Sequence, residues 1–398
     1  MVTGIKDAVR AVDAAAVMDL LPDRPRMLAL GEPTHGEEVL LEVRNDLFRQ
    51  LVEQEGYRSI AIESDCVMGL AVDDYVTSGT GTLDEVMERG FSHGWGAFPA
   101  NRELVRWMRA YNEGRPASER VRFAGFDGPL EMSHAASPRR VLTALHEYLA
   151  SRVGEDLLPC TAGTLDRLVG DDDRWTDPAA MTDPSKSVGR SAEAAELRLL
   201  ADDLAALLDA QPPPPAASRD DHDRARLYAR TATGLLRYHR WMADASPARL
   251  TWLVSVRDAM MAENLLAAAG RGPTLVHAHN GHLQRAKSSM RMGGRRLEWW
   301  SAGALAGARL GRDYAFLAAA LGTIRHRGVG APPPDTLEGR LYALPEDRCV
   351  VDAPRLAIAL GGAWPAPRVS PWFGYAPLDP AHLADMDGIV FVKDAPRA

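Results

Sequence analysis

Short apolar runs that stop at a glycine, a histidine or an acidic residue recur along this chain, with amphipathic segments between them. Met27 to Leu30 stops at Gly31, and Ser59-Ile-Ala-Ile-Glu63 and Val121-Arg-Phe-Ala-Gly-Phe-Asp127 follow. The pattern returns in Thr274-Leu-Val-His277, Tyr314 to Ala320, Val350-Val-Asp352 and Gly388-Ile-Val-Phe-Val392. Strands covered on both faces read this way, because neither face meets water. Between the first two runs, Val39, Leu40, Val43, Leu47, Leu51 and Val52 share one helix face, and Gly56 supplies the stop. Strand, helix, strand in that order calls for a right-handed crossover and parallel pairing. The expected fold class is α/β, a mostly parallel central sheet flanked by helices with a helical insertion or lid.

The ends and the middle complete this outline. Ile5, Val9, Val12, Ala16 and Leu20 recur at helical spacing, so a helix is expected from Ile5 to Leu21, closed by Pro22 and Pro25. From about Arg139 to Asn264 the chain is rich in Ala, Leu, Arg and Asp, with apolar positions every three or four residues. Pro212 to Pro215 interrupts that stretch and reads as an exposed connection between two helices. Three regions are expected: an N-terminal α/β half over residues 1–138, the helical insertion or lid over 139–264, and a C-terminal α/β half over 265–398.

Composition removes several classes of function. With 398 residues and 46% apolar content the chain can bury a large core. A formal charge of −8, with Lys and Arg scattered, argues against nucleic acid as a partner. No run approaches the ~20 uncharged apolar residues of a membrane span. Cys66, Cys160 and Cys349 are odd in number and far apart, which suggests neither a disulfide framework nor a thiolate zinc site. The segment Met1 to Asp23 lacks a signal-peptide core, so the cytoplasm is the default compartment. GxSxG, GxxxxGK[ST], HExxH and a post-strand GxGxxG are all missing.

Polar clusters stand instead where three strands are expected to end: Glu32 and His35, then Glu63 and Asp65, then His277, His279 and His282 with Asn280. Parallel α/β sheets gather ligands at that edge. Arg44 lies on the helix after His35. His277 and His279 alternate along an extended segment, so one of them is expected to face away, and His279 and His282 are preferred. His93, Trp95 and Phe98 are candidates to line a substrate pocket together with Asp127 and Asn280, although Trp95 and Phe98 equally suit a core.

Gly31-Glu-Pro-Thr-His-Gly36, the helix carrying Glu42-Val-Arg44 and Leu47-Phe48, and Ile-Ala-Ile-Glu63-Ser-Asp65 occur in that order. Arg106 to Asn112, Phe123-Ala-Gly-Phe-Asp127, Arg257-Asp-Ala-Met-Met-Ala-Glu-Asn264 and His277-Ala-His-Asn-Gly-His282 continue the series. Together they resemble the erythromycin esterase family, over about residues 26–130 and 250–395. The resemblance implies catalytic positions at Glu32, His35, Arg44, Glu63, His279 and His282, and a metal-independent hydrolase needing no cofactor. It implies that His35 activates water against a lactone or ester of a small molecule. A neutral imidazole is then expected at cellular pH, oriented by Glu32 or Glu63, with Arg44, His279 or His282 as oxyanion donors. Three other readings stay open: a tailoring enzyme of natural-product biosynthesis using the same base, a hydrolase holding a metal on the Glu/His cluster, and a binding module.

Overall fold

The computed structural model describes residues 5–131, 134–212, 215, 218–292, 294–362 and 364–396. Pro213 and Pro214, at the centre of the expected proline connection, lie outside these described residues. The strands in chain order are β1 (Val9–Arg10), β2 (Met27–Glu32), β3 (Ser59–Asp65), β4 (Arg122–Asp127), β5 (Leu130–Glu131) and β6 (His134–Ala135). They continue with β7 (Thr274–His279), β8 (Lys287–Met292), β9 (Arg295–Trp300), β10 (Tyr314–Thr323), β11 (Arg348–Asp352) and β12 (Gly388–Asp394). Among the described residues the central sheet has eight strands in the order β1-β11-β12-β10-β2-β7-β3-β4. All pairings from β12 through β4 are parallel, while β11 runs antiparallel to both β12 and β1. The chain therefore has the α/β architecture expected, with one reversed strand near the edge.

Both faces of the sheet are covered, which explains the unbroken apolar runs. Leu28, Leu30, Ile60 and Ile62 pack on one face with Leu47 and Leu51 of the helix Glu38–Gln54. Met27, Ala29, Ala61 and Val276 pack on the other with Met261 and Leu265 of the helix Arg249–Arg271. The helices between residues 139 and 242 bury a separate cluster that includes Leu145, Leu197, Leu204 and Leu235.

Three local expectations change. The segment Ile5–Leu21 is not one helix: Val9–Arg10 pairs with β11, and the helix starts only at Ala14, where Asp13 accepts a hydrogen bond from Ala16 N–H. An N-cap carboxylate of this kind fixes a helix start against the apolar periodicity. Val350-Val-Asp352 is a strand, but an antiparallel one, because an apolar run carries no direction. The expected boundary at residue 264 falls inside the helix Arg249–Arg271, whose Leu253 joins the helical cluster while Leu265 and Ala269 pack on the sheet. That helix ties the two layers together.

Candidate active site

The strands β2, β7 and β3 lie side by side, and Glu32, His279 and Glu63 sit at their C-terminal ends. Glu32 is fixed within β2, and after it the chain turns through Pro33 and Thr34 to bring His35 back over the strand end. There His35 Nδ1 lies 2.6 Å from Glu32 Oε1, and its Nε2 lies 3.9 Å from Glu63 Oε1. The two carboxylates are buried, whereas the His35 side chain keeps 41% of its surface exposed. That exposed face borders a cavity of about 980 Å³.

Glu63 has every direction occupied. His279 donates its backbone N–H to Oε2 at 2.9 Å, while His282 Nε2 and Arg257 Nη2 lie 3.4 Å and 3.2 Å from Oε1. Burial pushes its pKa up, but the charges of His282, His35 and Arg257 prevail and hold it at about 2. Burial likewise opposes charge on His35, yet the carboxylates of Glu63 and Glu32 outweigh it and raise its pKa to about 9. The neutral resting imidazole expected at cellular pH is therefore not what this geometry favours: His35 rests as an imidazolium between two anions.

The other two histidines are distinguished by their partners. His279 Nδ1 accepts the Gly281 N–H at 3.1 Å. Burial first, then the charge on His35, lowers its pKa to about 4. A neutral ring with Nδ1 as acceptor must carry its proton on Nε2, so His279 borders the cavity as a hydrogen-bond donor. His282 Nδ1 lies 2.8 Å from Asp258 Oδ1. Burial disfavours its charge, but Asp258 and Glu63 raise its pKa. Asp258 also accepts from Trp299 Nε1 and Ala302 N–H, which fixes β9 and the following helix around it.

Not every expected site residue reaches the cavity. Arg44 is fully buried and hydrogen-bonds Asn45 Oδ1 and Asn101 Oδ1, so its expected place as an oxyanion donor is corrected to a charge behind Glu32. Asp127 is completely buried, holds Arg257 by its Nε and Nη2, and so orients that guanidinium instead of contacting substrate. Asn280 borders the cavity, but its side-chain amide is used up bridging the Ala319 backbone N–H and carbonyl, so it pins β7 to β10 instead of reading a ligand. His93, Trp95 and Phe98 do line the cavity, and Trp95 and Phe98 also belong to the core. Trp95 Nε1 donates to the Glu63 carbonyl at 2.7 Å, which ties the aromatic wall to β3.

His277 does not face away. Residues two apart on a strand share a face, and His277 Nε2 sits 3.3 Å from Glu32 Oε2. Its Nδ1 lies 3.1 Å from the Leu30 carbonyl. Arg257 and Asp258 were not singled out either, although they open one of the quoted motifs: they lie inside a helix, away from any strand end. The hairpin β8–β9 supplies further wall through Ser289, Met290, Arg291 and Trp299.

The cluster suits proton transfer and stabilisation of a developing oxyanion. Among the described residues no group of three or more His, Cys, Asp and Glu is arranged to hold a metal ion. Arg257 places a permanent positive charge against Glu63, which opposes a cation at the same oxygen. No helix among the described residues is long and apolar enough to cross a membrane.

A family profile described as erythromycin esterase matches residues 52–395, so Glu32, His35 and Arg44 lie ahead of the matched segment. Three solved structures share the fold at low identity. One is a protein from Bacillus cereus, 16% identical over 99% of this chain and 96% of that one, with a TM-score of 0.71. The second, a succinoglycan biosynthesis protein, is 14% identical over 99% and 96%, with a TM-score of 0.70. The third is a histidine-to-asparagine variant of the erythromycin esterase EreC in its open conformation, 19% identical over 94% and 91%, with a TM-score of 0.64. The profile spans most of the chain and the architecture agrees with it: this protein belongs to the erythromycin esterase family of hydrolases.

Proposed function

We propose that this hydrolase cleaves a lactone or other ester of a small natural-product-type molecule, with His35 activating the attacking water. The observation that supports this most is the line Glu32–His35–Glu63 at the edge of a large cavity with an aromatic wall. In its neutral form, reached as the resting imidazolium loses a proton to solvent, His35 takes at Nε2 the proton of the attacking water as the water oxygen bonds to the acyl carbon. Glu32 on Nδ1 holds the ring and balances the imidazolium that forms. The carbonyl oxygen becomes an oxyanion, which the Nε2–H of His279 at the cavity wall can meet. One such donor typically contributes ~3–4 kcal/mol. The bond to the leaving alcohol then breaks, giving an acid and an alcohol with the net addition of one water.

No covalent nucleophile is needed. Cys66, the closest thiol in sequence, is buried, and burial together with Asp65 pushes its pKa up to about 12. The test is His35→Ala assayed by mass spectrometry on a panel of lactones and esters. Wild-type product is expected to gain the mass of one water, and the variant to lose ~10²–10⁴-fold in rate while remaining folded by circular dichroism at the assay temperature. Unimpaired hydrolysis by the variant would remove His35 from the mechanism. A product of unchanged mass would point to a tailoring reaction on the same base. Activity is expected to survive a chelator; loss restored by zinc would instead assign the Glu/His cluster to a metal.

A further inference from the structure

Trp95 is flanked by two imidazoles, with ring centroids 5.1 Å away for His35 and 6.2 Å away for His93. Both line the same cavity. His93 repeats the arrangement of His35: its Nε2 lies 3.4 Å from the buried Asp127 Oδ2, and its Nδ1 lies 3.0 Å from Glu131 Oε1. The two carboxylates differ. Asp127 has no exposed surface, whereas the Glu131 side chain is half exposed and also borders the cavity. Asp127 thus fixes the ring, and Glu131 occupies a place that a substrate oxygen can take.

The backbone sets His93 apart as well. With φ at 55° it is the one non-glycine residue in the left-handed region among those described. Such positions cluster at functional sites and persist only where the surroundings enforce them. The groups facing its ring are Asp127, Glu131 and Arg257. Burial disfavours charge on His93, and Arg257 does the same, but the two carboxylates prevail and its pKa lies above the ordinary value. The same two carboxylates favour the protonated ring, the form a general acid needs.

We propose that His93 is a second catalytic residue, the general acid that protonates the leaving alcohol oxygen of the ester. The proposal rests on the hydrolase reading above. As the bond between acyl carbon and leaving oxygen breaks, its electron pair goes to that oxygen and the Nδ1 proton of His93 follows. His93 is left neutral and regains a proton from solvent, while His35 releases to solvent the proton it took from water. Atoms and charge balance with water as the co-reactant.

A general acid matters only when the leaving group is poor, and this gives the test. Asparagine tolerates the left-handed region and can still donate to Asp127, so His93→Asn keeps the local geometry while lacking a transferable proton. The probes are the 4-nitrophenyl ester and the methyl ester of the same acyl group. The variant is expected to cleave the nitrophenyl ester within about 3-fold of wild type and to lose ~10²-fold or more on the methyl ester. It should also lose the alkaline limb of the methyl-ester pH profile. Equal losses on both esters overturn the acid role and leave the His35 reading standing, since misfolding or lost positioning would act on both. Wild-type protein that cleaves neither ester overturns the esterase reading, and this proposal with it.

Discussion

On the proposed mechanism His35 is the base, and its charge depends on neighbours instead of on intrinsic basicity. Glu63 and Glu32 outweigh the effect of burial and raise its pKa to about 9. As a base it must be neutral, so kcat/KM for the nitrophenyl ester, which needs no general acid, is expected to climb with pH through neutrality and level off only near pH 9. The group titrates together with its two carboxylates, and the limb belongs to the cluster. A limb at the ordinary imidazole value of 6.5 would show that the anions do not act on it. Glu63→Gln removes the largest favourable partner and should move that limb toward acid. Of the residues involved, Glu32, His35, Glu63, His279 and His282 were legible from strand ends and from the family resemblance. Arg257 was not, because a charged residue inside an amphipathic helix looks like any solvated one until Asp127 and Glu63 are placed against it. The pleat places His277 on the same face as His279, where it meets Glu32.

Elements set how closely those residues can approach. At Gly31, inside β2 beside Glu32, a Cβ would stand 2.0 Å from Asn280 Oδ1, and that amide is what bridges the residue after β7 to β10. Gly31→Ala should therefore force the bridge apart, with a loss of ~1–3 kcal/mol measured by urea unfolding. An unchanged midpoint would show that the amide moves freely. The parallel strands were readable because each is apolar on both faces. The hairpin β8–β9 was not: Lys287-Ser-Ser-Met-Arg-Met292 has polar residues on both sides of the pleat, and its burial comes from Trp299 and Leu297 packing on Val254. That unread hairpin walls one side of the cavity, so the chemistry could be read further than the pocket that chooses its substrate.

Across the molecule, the same pKa shifts set a pH window for stability. The imidazoles of His279 and His239, buried neutral, are held down to about 4, so the unfolded chain binds more protons below pH 6.5 and stability falls with acid. Glu63 and Asp127, both held at about 2 against ordinary values of 4.5 and 3.8, add a further loss as pH drops from about 4.5 toward 2. His35 acts in the opposite sense. Its contribution is complete below 6.5 and is lost as pH rises through about 9, and the raised values of His93 and His282 add to that decline. Maximum stability is expected close to pH 6.5, read from urea midpoints across the pH range. A stability plateau extending unchanged from neutral to strongly alkaline pH would contradict the raised imidazoles. The layered architecture at this scale was legible from the alternation of runs and helices, but the reversal of β11 and the strand order were not.

The position of β7 between β2 and β3 has a consequence for how the protein is made. A ribosome delivers β2 and β3 early, but they are not neighbours in the folded sheet, and the strand that joins them begins only at Thr274. Until then both present open hydrogen-bonding edges, the kind of surface on which strands from different chains associate. Synthesis thus passes through a long interval in which the half-finished sheet has a slot and no occupant. Glu32 and Glu63 acquire His277 and His279 between them at the moment that slot is filled, so the carboxylate–histidine cluster and the joining of β2 to β3 arrive together.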